Sequence, residues 1–126
     1  MHLNLNQITI SVKDVERSIE FYQKLGLKLI VRSLPKYARF ESAVGDTTFS
    51  LHQSYEKVSD CTWIYFETET LDEDVQKLIT LGIAFESLPA DQPWLWREAR
   101  LKDPDGNQLI LYYAGKNRKD PPWKIN

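Results

Sequence analysis

Apolar residues recur along this chain with two periods, and the periods alternate in the same order twice. Over residues 5–12, Ile8, Ile10 and Val12 alternate with polar neighbours, a period of two that predicts a strand. Val15, Ile19 and Tyr22 then follow at helical spacing with charges between them. Asp14 stands at the position of an N-cap, and Gly26 where a left-handed residue would close the helix. Short alternating runs predict strands over about 27–33, 37–43 and 47–53. The order then begins again. Ile64 and Phe66 mark a strand, and Thr70 is the cap of a second helix. Asp72, Glu73 and Asp74 load its first turn, where negative charge suits the helix dipole. Leu71, Val75 and Leu78 form its apolar stripe, Gly82 its stop, and strands are expected over about 84–88, 96–102 and 107–113. Asp103-Pro104-Asp105-Gly106-Asn107 joins the last two strands, with proline fixing φ and glycine supplying positive φ.

The recurrence is an internal repeat. A displacement of 56 residues lays Ile8-Thr9-Ile10 over Ile64-Tyr65-Phe66, Val15 over Leu71, and Ile19 over Val75. The same displacement lays Leu25-Gly26-Leu27 over Leu81-Gly82-Ile83, and no gap is needed from residue 7 to 30. The expected fold is α+β: two βαβββ modules forming a curved eight-stranded mixed sheet around a cleft. One domain covers 1–126, with module one over about 3–54, module two over about 60–113 and a charged, proline-containing surface tail over 114–126.

Alternation also assigns side chains to faces. If Ile8, Ile10 and Val12 face the helix, then Gln7, Thr9 and Ser11 face away. By the same parity Trp63, Tyr65 and Glu67 face away on the repeat strand, Thr48, Ser50 and His52 on 47–53, and Gln108, Ile110 and Tyr112 on 107–113. A solvated face would carry more lysine and glutamate, and a core more leucine and valine. Aromatic bodies with a few hydrogen-bonding groups suit a ligand cleft. Packing at an interface or in a secondary core is the other reading of this face.

Composition narrows the classes. A net charge of -2 provides no field to gather nucleic acid or an anionic membrane. No stretch approaches the ~18 apolar residues of a membrane span, and residues 1–12 lack the pattern of a signal peptide. Cys61 is the single cysteine, which rules out an internal disulfide, suits a cytoplasmic location and reads best as a small structural residue. There is no G-x-G-x-x-G and no phosphate-loop motif.

Three stretches carry a family resemblance. Asn6 to Asp14, followed by Ser18-Ile19-Glu20-Phe21-Tyr22 and Leu25-Gly26-Leu27, resembles the opening of a domain of the vicinal-oxygen-chelate superfamily, which includes glyoxalases, bleomycin-resistance proteins and extradiol dioxygenases. Asp103 to Asn107 resembles its closing turn, and the repeat resembles its paired modules. The resemblance implies a homodimer and, in catalytic members, a divalent metal held by histidines and carboxylates on the concave sheet face. Carried over residue by residue, the ligand positions are Gln7, Ser50, Trp63 and Ile110. None is a strong ligand: glutamine coordinates only weakly through its carbonyl, and tryptophan and isoleucine cannot serve, so no metal or other cofactor is expected, and the indole makes a stacking surface of a chelation site.

The reading is a metal-free protein that binds a small aromatic or planar ligand for sequestration or resistance. The expected lining is Gln7, Thr9, Ser50, His52, Trp63, Tyr65, Trp96, Arg97, Ile110 and Tyr112. Arg97, Glu98 and Arg100 either bind an anion or pair with one another, and Trp94 and Trp96 either stack on a ligand or cover the core edge. Two alternatives stand beside it. One is a glyoxalase-like lyase, isomerase or dioxygenase-type enzyme with a non-standard site, for which His52 is the candidate base. The other is an interaction module whose aromatic face is a dimer interface.

Overall fold

The computed structural model describes residues 1–2, 4–57 and 62–125, so Cys61 lies outside the described residues. Elements run in the order β1 (Gln7–Val12), α1 (Val15–Lys24), β2 (Lys28–Ser33), β3 (Tyr37–Glu41), β4 (Thr48–Gln53), β5 (Trp63–Glu67), α2 (Leu71–Thr80), β6 (Ser87–Asp91), β7 (Arg97–Lys102) and β8 (Gln108–Tyr113). A short 3-10 turn, Gly115–Arg118, follows. The βαβββ order occurs twice. The strands form two four-stranded mixed sheets, β1-β4-β3-β2 and β5-β8-β7-β6, each with its hydrogen-bonded order inside one module. In each, the first strand runs parallel to the last (β1 with β4, β5 with β8) and the other neighbours are antiparallel.

Both helices start and stop as their sequences direct. The Asp14 carboxylate accepts from the Arg17 amide at 3.1 Å. Thr70 holds the N-cap position of α2, but its hydroxyl turns to Asp74 instead of a backbone amide. Gly26 and Gly82 sit at φ +94° and +91°. Gly26 donates to the Gln23 carbonyl at 3.0 Å and Leu27 to that of Tyr22 at 3.2 Å. Gly82 and Ile83 repeat the pair onto Ile79 and Leu78, both at 3.0 Å. This is the Schellman arrangement, which needs a left-handed residue that glycine adopts without strain.

One element differs from its expected place. The sequence predicts a strand over about 84–88, whereas β6 covers Ser87–Asp91 and includes Pro89. β6 is an edge strand, where a residue without an N–H is tolerated, and its ladder skips between Ser87 and Ala90.

By its contacts the chain divides into two compact units, Met1–Ser59 with Asp103–Asn107, and Asp60–Lys102 with Gln108–Asn126. In the first, Val12, Val15, Ile19, Phe40, Phe49 and Leu51 are buried around Tyr22. The Tyr22 ring lies 4.9 Å from Phe49 and 6.1 Å from Phe40. In the second, Ile64, Leu71, Val75, Leu78, Leu101, Leu109 and Leu111 are buried. Each such side chain contributes on the order of 1.5–3 kcal/mol when fully removed from water.

The 103–107 turn belongs to the first unit because of one carboxylate. Asp103, 4% exposed, accepts from the Tyr22 hydroxyl at 2.7 Å, from the Asp105 and Asn107 amides, both at 2.9 Å, and from the Asn107 side chain at 2.8 Å. Arg17 pairs with Asp105 at 3.2 Å, and the Asn107 amide group donates to the Ser11 carbonyl at 3.2 Å.

Candidate functional site

Register fixes which side chains share the face away from each helix. In the first unit Thr9 lies opposite Ser50, Ser50 opposite Arg39, and Ser11 and Tyr37 flank His52. Gln7 organises this face. Its side-chain amide donates to the Ser50 hydroxyl at 2.8 Å and to that of Thr9 at 3.1 Å, and its carbonyl oxygen accepts from the Thr48 hydroxyl. The Ser50 and Tyr37 hydroxyls are hydrogen-bonded to each other at 2.7 Å, and Arg39 Nε donates to the Tyr37 oxygen at 2.8 Å. Burial raises the Tyr37 pKa, but the hydrogen bonds from Ser50 and Arg39 and the guanidinium charge outweigh it, so the phenol lies below the ordinary tyrosine range. His52 is exposed and has no hydrogen-bond partner among the described residues.

The second unit presents an aromatic face. Tyr65 lies opposite Ile110 across β5 and β8, and Glu98 and Arg100 lie opposite Tyr112 and Ile110 across β7 and β8. Trp96 stacks on Tyr112 with centroids 4.8 Å apart. Tyr65 meets both edge-on, at 5.8 Å and 5.3 Å. The Arg100 guanidinium carbon lies 4.7 Å over the Trp63 ring. Tyr112 and Ile110 are buried, whereas Trp63 is 50% and Tyr65 38% exposed. Burial and the charge of Glu98 push the Tyr65 phenol up against the opposing pull of Arg100. Burial and Glu67 push up that of Tyr112. Both therefore keep their protons, and with them their capacity to donate, through neutral pH.

Of the ten side chains expected to line a site, nine lie on these faces or pack against them: Gln7, Thr9, Ser50 and His52 in the first unit, and Trp63, Tyr65, Trp96, Ile110 and Tyr112 in the second. Arg97 does not. It lies opposite Tyr113 and next to buried Ala99, on the helix side of β7. Its Nε and Nη2 form a bidentate pair with Asp72 in the first turn of α2, at 2.9 and 3.0 Å, and Nη1 reaches Asp91 at 3.1 Å. The fork raises the pKa of Arg97 and lowers that of Asp72 through their shared hydrogen bonds. Arg97 is thus already committed to two carboxylates.

Side chains outside the expected set complete the faces. Tyr37 and Arg39 are two. Glu98 is another, 2% exposed, with one oxygen accepting from the Trp94 indole at 2.7 Å and the other left to Arg100 at 4.0 Å. Continuing the parity rule to 37–41 and 97–102 would have found all three. The tail also joins: the Ala114 and Gly115 amides donate to Glu67 at 2.8 and 3.0 Å, and the Trp96 indole donates to the Asn117 carbonyl at 3.1 Å.

The side chains at the family's ligand positions do not suit a divalent ion. The Gln7 carbonyl oxygen is taken by Thr48, the Ser50 hydroxyl is held between Gln7 and Tyr37, and Trp63 and Ile110 offer no lone pair. Among the described residues no group of three or more histidines, cysteines or carboxylates is placed to hold a metal. None of the helices among the described residues is long and apolar enough to cross a membrane.

Comparison with known proteins accords with the doubled βαβββ architecture. The family model of the Glyoxalase/Bleomycin resistance protein/Dioxygenase superfamily matches residues 4–111. The uncharacterized protein YraH of Bacillus subtilis (strain 168) is 28% identical, with 87% of this chain and 98% of that protein aligned. Among solved structures, a glyoxalase/bleomycin resistance protein/dioxygenase from Nocardioides is similar over 100% of this chain and 91% of its own, with a TM-score of 0.79 at 24% identity. A lactoylglutathione lyase from Agrobacterium tumefaciens is similar over 87% and 92% of the two chains, with a TM-score of 0.73 at 16% identity. On the family match over 4–111 and the doubled module it describes, the chain belongs to the Glyoxalase/Bleomycin resistance protein/Dioxygenase superfamily.

Proposed function

We propose that this chain binds a small planar organic molecule without a metal, using the sheet face of its second unit as a stacking surface. The observation that carries the reading is Trp63, an indole half exposed on a sheet face at the position where catalytic relatives place an imidazole, with Arg100 seated over its ring. Tyr65 adds a second exposed ring whose hydroxyl has no hydrogen-bond partner among the described residues. Neighbouring Trp96 and Tyr112 stack on each other and Tyr65 meets both edge-on, so these rings are already placed side by side, which lowers the ordering cost of association. With side chains that do not suit a metal at the family's ligand positions, the reading is sequestration or resistance and not Lewis-acid chemistry. That follows from donor chemistry at Gln7, Ser50, Trp63 and Ile110.

The test is a fluorescence and thermal-shift screen against planar metabolites. For any ligand found, Trp63→Ala is expected to weaken binding about tenfold or more, through lost stacking and lost apolar area. Unchanged affinity in a Trp63→Ala, Tyr65→Ala double variant would overturn the assignment. So would a stoichiometric transition metal in protein purified without chelators. A homodimer that covers these rings is the competing use of the same face. Sedimentation of the double variant reads it, since loss of an interface lowers the mass.

A further inference from the structure

Arg39 stands in the middle of β3, opposite Ser50, on the sheet face of the first unit. All six arginines of the chain lie among the described residues, and five have a carboxylate within 4.0 Å. Arg17 has Asp105 at 3.2 Å, Arg32 has Glu16 at 3.6 Å, Arg97 has Asp72 at 2.9 Å, Arg100 has Glu98 at 4.0 Å and Arg118 has Glu67 at 3.5 Å. Arg39 has none among the described residues. The carboxylate on its own strand, Glu41, is turned to Lys28 at 3.5 Å. A half-buried guanidinium without a counter-charge carries a desolvation penalty that an anion would relieve.

The guanidinium is also held in one orientation. Nε donates to the Tyr37 hydroxyl at 2.8 Å and the guanidinium carbon lies 5.4 Å from the centre of that ring. Tyr37 is braced in turn by Ser50, and Ser50 by Gln7. With Nε taken, the edge bearing the two terminal nitrogens has no hydrogen-bond partner among the described residues and presents a planar fork that matches the two oxygens of a carboxylate.

We propose that Arg39, braced by Tyr37, Ser50 and Gln7, is the anchor of a binding site for a small organic carboxylate. The class follows from the count of donors and charge. One positive charge and one two-pronged edge satisfy a monoanion with two coplanar oxygens. The neighbouring Gln7 amide is already spent on Ser50, Thr9 and Thr48, so this network offers a phosphate's further oxygens little. The inference does not depend on stacking at Trp63, which lies in the other unit.

The experiment is calorimetric titration at neutral pH with benzoate, its neutral isostere benzamide, and inorganic phosphate. Benzoate is expected to bind, benzamide to give no heat, and phosphate to bind at least tenfold more weakly. Arg39→Gln should weaken benzoate about tenfold to a hundredfold. Arg39→Lys, which keeps the charge and loses the fork, should fall between. If Arg39→Gln fails to fold, Arg39→Lys still decides. Pivalate, a carboxylate with no ring to stack, should show the same dependence on Arg39, so failure of the stacking reading does not count against this one. Absence of benzoate binding, equal binding of benzoate and benzamide, phosphate binding as tightly as benzoate, or a variant set with wild-type affinity would each overturn the proposal.

Discussion

Tyr22 shows how one hydroxyl ties a residue in α1 to a turn 81 positions later in the chain. Its phenol is fully buried and donates to Asp103, and burial first, then the Asp103 charge, raises its pKa well above the ordinary value. The sign of the pH dependence follows. Above about pH 10 the unfolded chain releases this proton and the folded chain keeps it, so the unfolded state binds fewer protons and stability falls as pH rises. Below pH 10 both states hold the proton and the contribution is complete. Tyr22→Phe is expected to lower stability by about 1 kcal/mol at neutral pH, because Asp103 retains its other donors, and to flatten the alkaline decline. Denaturant unfolding of both proteins at pH 7 and pH 10.5 checks this. A wild type that declines no faster than the variant would contradict it. At this scale the sequence was legible wherever strand parity was anchored. Gln7, Thr9, Ser50, Trp63 and Tyr65 lie where alternation puts them. Arg97 falls on the helix side because Ala99 and Leu101 set the parity of β7, a period that Trp94-Leu95-Trp96 just before it hides. Parity places Arg39 on the face away from the helix as well, but its lack of a carboxylate partner among the described residues is a tertiary property that no local pattern records.

At the scale of elements the repeat makes a paired prediction. Gly26 and Gly82 close α1 and α2 with the same two hydrogen bonds at nearly the same φ, and a Cβ built on either meets nothing within 4 Å. Space is therefore free and only backbone strain opposes alanine. Gly26→Ala and Gly82→Ala should each lower stability by about 1–2 kcal/mol, and by similar amounts. Thermal melts of the two variants decide it. A loss confined to one would mean the two caps are not equivalent. Helices and their ends were legible because apolar stripe, cap and glycine stop agree with one another within each short segment. β6 was less so. Its bounds depend on an edge position and a bulge around Pro89, and both are properties of the sheet, not of the strand's own residues.

For the whole molecule, the five residues Asp103–Asn107 decide how cooperative unfolding is. The chain leaves the second unit at Lys102, gives this turn to the first, and returns at Gln108. β7 and β8 are joined by it and carry much of the second unit's core in Leu101, Leu109 and Leu111. Losing the turn's anchorage should therefore weaken both units together. Asp103→Ala removes four hydrogen bonds from one buried carboxylate and is expected to cost about 3 kcal/mol or more. The tryptophans make the coupling measurable, because Trp63, Trp94, Trp96 and Trp123 all belong to the second unit. Indole fluorescence follows that unit alone, while far-ultraviolet circular dichroism follows both helices. Coincident melts in the wild type, and equal downward shifts of both signals in Asp103→Ala, are the outcome expected of one cooperative unit. An indole melt that stays in place while the dichroism melt falls would mean that the first unit unfolds alone. The turn would then be a local lock on Tyr22 and not the element that joins the stability of the two modules.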